Sequence, residues 1–167
     1  WAVSMLAKSG YEVTASTRKS SEIDYLKKVG ARETISPSEL EVPGAKSLYR
    51  ERWAGAVDPV GGPFLTHVLN SVRYGGSVAL SGFTGGAELA STVYPFILRG
   101  VNLLGIDSVL CPMDVRREVW NRIAAEWKPE EALLDSIVHE ISLSDLPAAI
   151  AQVLQGRMRG RSVVAMA

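Results

Sequence analysis

Ser16, Thr17, Arg18 and Lys19 stand in a row, two hydroxyls followed by two cations. Such a row suits a multi-oxygen anion, since hydroxyls donate single hydrogen bonds and Arg and Lys add charge-assisted ones. The four residues close the short stretch that begins at Tyr11, and no acid follows them before Glu22. At the tip of the second strand of a dinucleotide-binding fold, an acid holds the ribose 2′-hydroxyl of NAD, whereas cations suit the 2′-phosphate of NADP. If the fold is of that type, the cofactor is NADP. The other reading of the same residues is a solvated turn with two surface charges.

Other reactive side chains are few. His67 and His139 have no Ser, Cys or acid at triad spacing, and both read as structural. The single cysteine, Cys111, forms no internal disulfide and no cysteine-rich zinc site, and reads as a packing residue or a surface thiol. Val60-Gly61-Gly62 and Thr84-Gly85-Gly86 lack the Lys-Ser/Thr of a phosphate loop. Asp58 with Gly61 and Gly62 fits either a close backbone approach to an adenine ribose or an ordinary strand-to-helix turn. The residues assign no catalytic group and no metal ligand.

The elements that must hold Ser16–Lys19 follow from local signals. A helix over 1–8 ends at Ser9-Gly10. The strand to Lys19 follows, then a helix over 20–29 that opens with hydroxyls and acids and closes on Lys27, Lys28 and Gly30. Helix, glycine, strand, polar tip and helix are the grammar of a βαβ unit. Further on, Thr34-Ile35 reads as a short edge strand and Ser36-Pro37 as a helix start. Residues 42–52 read as a polar loop. Trp53–Asp58 is apolar in the manner of a strand covered on both faces. A helix over 64–72 turns Leu65, Val68 and Leu69 inward, and Ser77–Ser81 is the next strand. A helical turn at 94–99, a strand at 101–107 and a long helix at 112–127 complete the alternation, which implies a parallel, doubly wound sheet. Beyond Pro129 the pattern changes to a strand over 136–143, a helix over 148–154 and a last strand over 162–166.

Composition sets outer limits. With 47% hydrophobic residues in 167, one sizeable core is affordable. Eighteen basic residues balance eighteen acidic ones, so there is no electrostatic footprint for nucleic acid or an anionic membrane. No apolar run approaches the roughly 20 residues of a membrane span. A soluble, cytoplasmic protein is the default expectation. The chain opens on Trp1 inside a helical pattern, which leads us to expect a fragment of a longer protein.

Several stretches together are similar to a known family. They include Asp24-Tyr25-Leu26-Lys27-Lys28-Val29-Gly30-Ala31, Trp53-Ala54-Gly55-Ala56-Val57-Asp58 and Tyr74-Gly75-Gly76-Ser77-Val78-Ala79. Pro95-Phe96-Ile97-Leu98-Arg99-Gly100, Leu104-Gly105-Ile106-Asp107-Ser108-Val109 and Gly160-Arg161-Ser162-Val163-Val164 continue the likeness along essentially the whole chain. It resembles the zinc-independent, quinone-oxidoreductase-like branch of the medium-chain dehydrogenases/reductases, in the subgroup that includes acrylyl-CoA reductase.

The resemblance implies an α/β fold, a Rossmann-type doubly wound parallel sheet truncated before its first helix. To this it adds the C-terminal returning segment of a GroES-like catalytic domain. Residues 1–128 would be a partial NADP-binding domain and 129–167 the returning segment. The first Rossmann strand, central in the strand order 3-2-1-4-5-6, would be missing, leaving the strands at Val13 and Trp53 with no shared neighbour. The last strand would lack its barrel partner. By the same resemblance Ser16, Thr17, Arg18 and Lys19 form a 2′-phosphate clamp that Arg32 can join. Phe83 lies beside the dinucleotide, Ile97 and Ser108 lie near its nicotinamide end, and Gly156 and Arg161 close over it. The implied activity is NADPH-dependent reduction of an activated C=C bond in a quinone or enoyl thioester such as acrylyl-CoA. A homodimer is expected by resemblance only. The rival expectation is a non-catalytic NADPH-binding module or an inactive truncated product.

Overall fold

In a computed structural model, residues 1–40 and 46–166 of the chain are described. Of the expected loop over 42–52, residues 42–45 lie outside the described residues. The architecture is α/β with every strand pairing parallel. Helix α1 (Ala2–Lys8) leads into β1 (Val13–Ser16), then a 3-10 turn (Ser20–Glu22), α2 (Ile23–Lys28) and β2 (Ala31–Ile35). β1 and β2 form a two-stranded sheet of their own.

A second sheet has the order β3 (Trp53–Asp58), β4 (Val72–Leu80), β5 (Asn102–Gly105), with α3 (Gly62–Ser71) between the first two strands and α4 (Tyr94–Arg99) before the third. The core sits where α3 meets this sheet. Leu65, Val68 and Leu69 from α3 pack with Val72, Val78, Val101 and Leu40, all buried. Those three helix positions are the ones that the spacing turned inward. Arg99 fastens the periphery of this core. Its guanidinium donates to the carbonyls of Tyr49 at 2.6 Å, Asn70 at 2.9 Å and Val72 at 3.3 Å, and it pairs with Glu51 at 3.6 Å. A planar fork serves three carbonyls in fixed directions, which a lysine could not do.

The C-terminal part carries α5 (Met113–Ala124), α6 (Glu131–Ile137), β6 (Val138–Ser142), α7 (Leu146–Leu154) and β7 (Arg161–Ala165), with β6 and β7 forming a third sheet. Two expectations change here. The strand over 136–143 starts at Val138, because residues 131–137 form a helix whose Ile137 is buried. The last strand does have a partner, since β7 pairs with β6 over five positions.

Elsewhere the structure departs from the expected covering of apolar residues. β3 was expected to be covered on both faces, yet Ala54, Gly55 and Val57 are exposed. On α5 the apolar stripe of Val115, Val119 and Trp120 is also exposed. In both cases the pattern is that of a buried surface, and the described residues bring nothing to cover it.

Candidate functional site

The two N-terminal sheets do not join. Among the described residues β1 pairs only with β2, and β3 only with β4, so each presents an unpaired backbone edge. A groove of about 1440 Å³ lies between them, lined by both strands, by α1 and by residues that follow the strand ends.

At the carboxyl end of β1 the groove is lined by Ser16, Thr17, Arg18 and Lys19, and Arg32 at the start of β2 lines it too. The sequence row therefore faces an open space. Its backbone is held from below, with Thr17 N–H donating to the Ile35 carbonyl at 3.0 Å and Lys19 N–H to the Thr17 hydroxyl at 3.1 Å. Arg32 is paired with Glu12. Cations outnumber acids along the groove, six to four, so it favours an anionic occupant.

Across the groove the end of β3 is shaped by Asp58. It is fully buried, and its Oδ1 accepts Val60 N–H at 2.5 Å and Gly61 N–H at 3.0 Å, while Oδ2 has no hydrogen-bond partner. The turn it holds is clasped to the loop after β4: Gly85 N–H donates to the Val60 carbonyl at 2.7 Å and Gly61 bridges Gly86. Gly61 and Gly62 both have positive φ, and a Cβ on either would come within 2.6–2.7 Å of a backbone oxygen of that loop. Asp58, Val60, Thr84 and Gly85 line this wall of the groove.

A third contribution comes from the far end of the chain. Met158, Arg159 and Gly160 line the groove beside the cationic tip. Arg159 pairs with Glu22, Nε to Oε2 at 2.5 Å and an Nη to Oε1 at 3.1 Å. The hydrogen bond from Arg159 holds the Glu22 carboxyl below its usual pKa, with the charges of Arg159 and Lys19 acting the same way. Lys19 Nζ donates to the Met158 carbonyl at 3.5 Å.

The remaining expected site residues are placed elsewhere. Phe83 and Ile97 are 73% and 69% exposed, and neither lines the groove. Ser108 uses its carbonyl to accept from Arg116 at 2.7 Å. Gly156 closes α7 at φ +65°, and Arg161 donates to the neighbouring Gly160 carbonyl at 2.9 Å. The groove thus gathers Ser16, Thr17, Arg18 and Lys19 at the carboxyl end of β1. Arg32 lines it too, but at the amino end of the parallel β1–β2 pair, beside Glu12 and away from that tip. Phe83, Ile97, Ser108, Gly156 and Arg161 do not line it. Sequence reasoning missed Arg159. Its partner is 137 residues away, and no local pattern signals such a pair.

Among the described residues no three His, Cys, Asp or Glu side chains converge to hold a metal ion, and no helix is long and apolar enough to cross a membrane.

Comparison with known proteins gives consistent results. The family model described as zinc-binding dehydrogenase matches residues 1–125. The Bacillus subtilis protein YhfP, assigned as a quinone oxidoreductase, is 53% identical over 98% of this chain and 49% of its own length. Its crystal structure with NAD bound superposes with a TM-score of 0.93, covering 99% of this chain and 50% of that one. The acrylyl-CoA reductase AcuI of Ruegeria pomeroyi is 45% identical over 98% of this chain and 49% of its own length. The yhdH oxidoreductase of Salmonella enterica in complex with NADP is 38% identical, with a TM-score of 0.93 over 99% of this chain and 50% of that one. The chain spans about half the length of the curated relatives it matches.

Proposed function

Because this chain belongs to the zinc-binding dehydrogenase family, among the medium-chain dehydrogenases/reductases, we propose that it is the nucleotide-binding half of an NADPH-dependent oxidoreductase. The substrate we propose is an activated C=C bond in a quinone or an enoyl thioester. The observation that carries this reading is the cationic tip of β1, where Arg18 and Lys19 line an open groove and the nearest following acid, Glu22, is engaged by Arg159. Relatives with NAD and with NADP bound are both similar to this chain, and the charge at this tip favours the 2′-phosphate.

The residues present fit such a cofactor. Ser16–Lys19 would hold the 2′-phosphate, while Arg32, paired with Glu12, stands at the other end of the parallel β1–β2 pair, and the Asp58–Gly62 turn lets backbone approach closely on the opposite wall. In this reading Phe83, Ile97 and Ser108 lie toward the nicotinamide, and Gly156 and Arg161 belong to the segment that closes over it. The chemistry that a reduced nicotinamide supplies when bound is hydride transfer to the β-carbon of an α,β-unsaturated carbonyl. This chain's part is to bind and orient; it contributes no proton donor that we assign. By the resemblance to the zinc-independent branch, we propose a reaction that does not use zinc.

We take residues 1–128 as the nucleotide-binding part and 129–167 as a segment that returns to a catalytic part. The two open edges of β1 and β3 suit one further parallel strand, supplied from outside these 167 residues. A cytoplasmic homodimer, paired through the β5 edge, completes the proposal. The test is NADPH oxidation by the complete gene product with acrylyl-CoA or a small quinone. Turnover that prefers NADPH to NADH supports the reading. Tight NADPH binding without turnover favours a binding module, and absence of NADPH binding overturns both.

A further inference from the structure

Glu22 is the acid next along the chain from the cationic tip, and it argues against a phosphate there. It follows Lys19 by three positions, lines the same groove, and its carboxyl feels the Lys19 charge. A free carboxylate there would repel a 2′-phosphate and would accept a hydrogen bond from a 2′-hydroxyl, the arrangement that selects NAD.

Arg159 removes that conflict. Its fork meets both Glu22 oxygens, at 2.5 and 3.1 Å, and its guanidinium lies 4.7 Å from the Tyr25 ring centroid. A carboxylate so engaged offers a phosphate little net negative charge and has one acceptor direction on each oxygen taken. The arginine is delivered by a turn that packs closely on the end of α6. Gly160 next to it has φ +70°, and a Cβ there would come within 2.0 Å of the Ile137 carbonyl oxygen, so the turn is built for glycine. On the other side the Met158 carbonyl takes the Lys19 ammonium. The C-terminal turn and the β1 tip are thereby held in one register.

We propose that Arg159 is a specificity-determining positioning residue: by masking Glu22 it keeps the groove selective for a 2′-phosphorylated dinucleotide over its unphosphorylated counterpart. This rests on the cofactor reading above and adds to it a residue outside the clamp itself.

The experiment measures the dissociation constants of NADPH and NADH for the complete gene product, as wild type, Arg159→Ala, Glu22→Gln and the double variant. Arg159→Ala is expected to weaken NADPH about tenfold through one exposed like charge near the phosphate, and to leave NADH unchanged or tighter. Glu22→Gln, which removes the carboxylate and releases Arg159, should bind NADPH at least as tightly as wild type, and the double variant should recover the affinity that Arg159→Ala loses. An equal loss for both nucleotides in Arg159→Ala, with no recovery in the double variant, would mean a merely structural arginine and overturn the proposal. An NADPH loss that Glu22→Gln fails to rescue would overturn it as well. A wild type that binds neither nucleotide, or prefers NADH, would overturn the cofactor reading and this inference together, and so is distinguishable from failure of the masking alone.

Discussion

The carboxylate of Asp58, buried at the end of β3, accepts the backbone N–H of Gly61 at 3.0 Å. The same oxygen takes the N–H of Val60 at 2.5 Å, so one side chain satisfies two donors in the turn that forms a wall of the groove. Replacing Asp58 by alanine leaves the buried Gly61 donor, and the half-buried Val60 donor beside it, without an acceptor. The expected loss is about 2–4 kcal/mol of stability, read by urea unfolding of the complete gene product. Asn keeps one acceptor oxygen and should lose less. Equal stability of wild type and the alanine variant would show that the turn is held by other means.

Two glycines with nearly the same φ should respond differently to alanine. Gly61 and Gly75 both stand at φ +71°, but Gly61 combines it with ψ −159°, a region open essentially to glycine alone, where a side chain costs about 1–3 kcal/mol. At Gly75 a Cβ meets nothing within 4 Å, whereas at Gly61 it would lie 2.6 Å from the Gly86 carbonyl oxygen. Gly75→Ala should therefore lose only what its positive φ costs. Gly61→Ala should lose several times as much and also weaken NADPH binding, because the two loops must part. Comparable losses at both positions would refute the clasp.

Much of this could be read along the chain, because it depends on neighbours in sequence. The inward positions of α3, the end of α4 at Gly100 and the polar tip of β1 are set by spacing, a left-handed cap and residue type. The helix over 131–137 was hidden, because Ile137 and the residues after it alternate as a strand does while Glu131–Ser136 carry only a short helical signal. The covering of β3 and α5 could not be judged either, since an apolar pattern records that a surface is suited to burial and not what buries it. The Glu22–Arg159 pair and the Gly61–Gly86 bridge join distant segments through single contacts, and such contacts leave no periodicity.

The facing edges of β1 and β3 carry a physical consequence. Unpaired strand edges are templates for another chain, and here two of them border one groove whose strand residues Ala54, Gly55 and Val57 are exposed. The isolated 167-residue chain is expected to self-associate and to melt without a sharp transition, as light scattering and calorimetry would record. An extended apolar peptide that fills the groove should suppress the association. A monomer with a cooperative melt at ordinary domain temperatures would mean that the edges are protected in some other way.

His67 gives the fold a pH dependence whose sign can be worked out. It lies on α3, stacked on Tyr49 with ring centroids 4.3 Å apart, and burial lowers its pKa from 6.5, with the nearby Arg52 charge adding to the effect. Tyr49 is bound into the same region through its own backbone, donating to the Asn70 carbonyl at 2.8 Å and accepting from Arg99 at 2.6 Å. The unfolded chain thus takes up a proton on His67 at a higher pH than the folded one. Well above pH 6.5 both states hold it neutral and it contributes no slope. As pH falls from 6.5 toward the lowered folded value, the unfolded state gains the proton first and stability declines. In the complete gene product, unfolding free energy should fall through this window, and His67→Phe, which keeps the stack on Tyr49, should flatten that part of the profile. An unchanged slope in the phenylalanine variant would assign the dependence to another group.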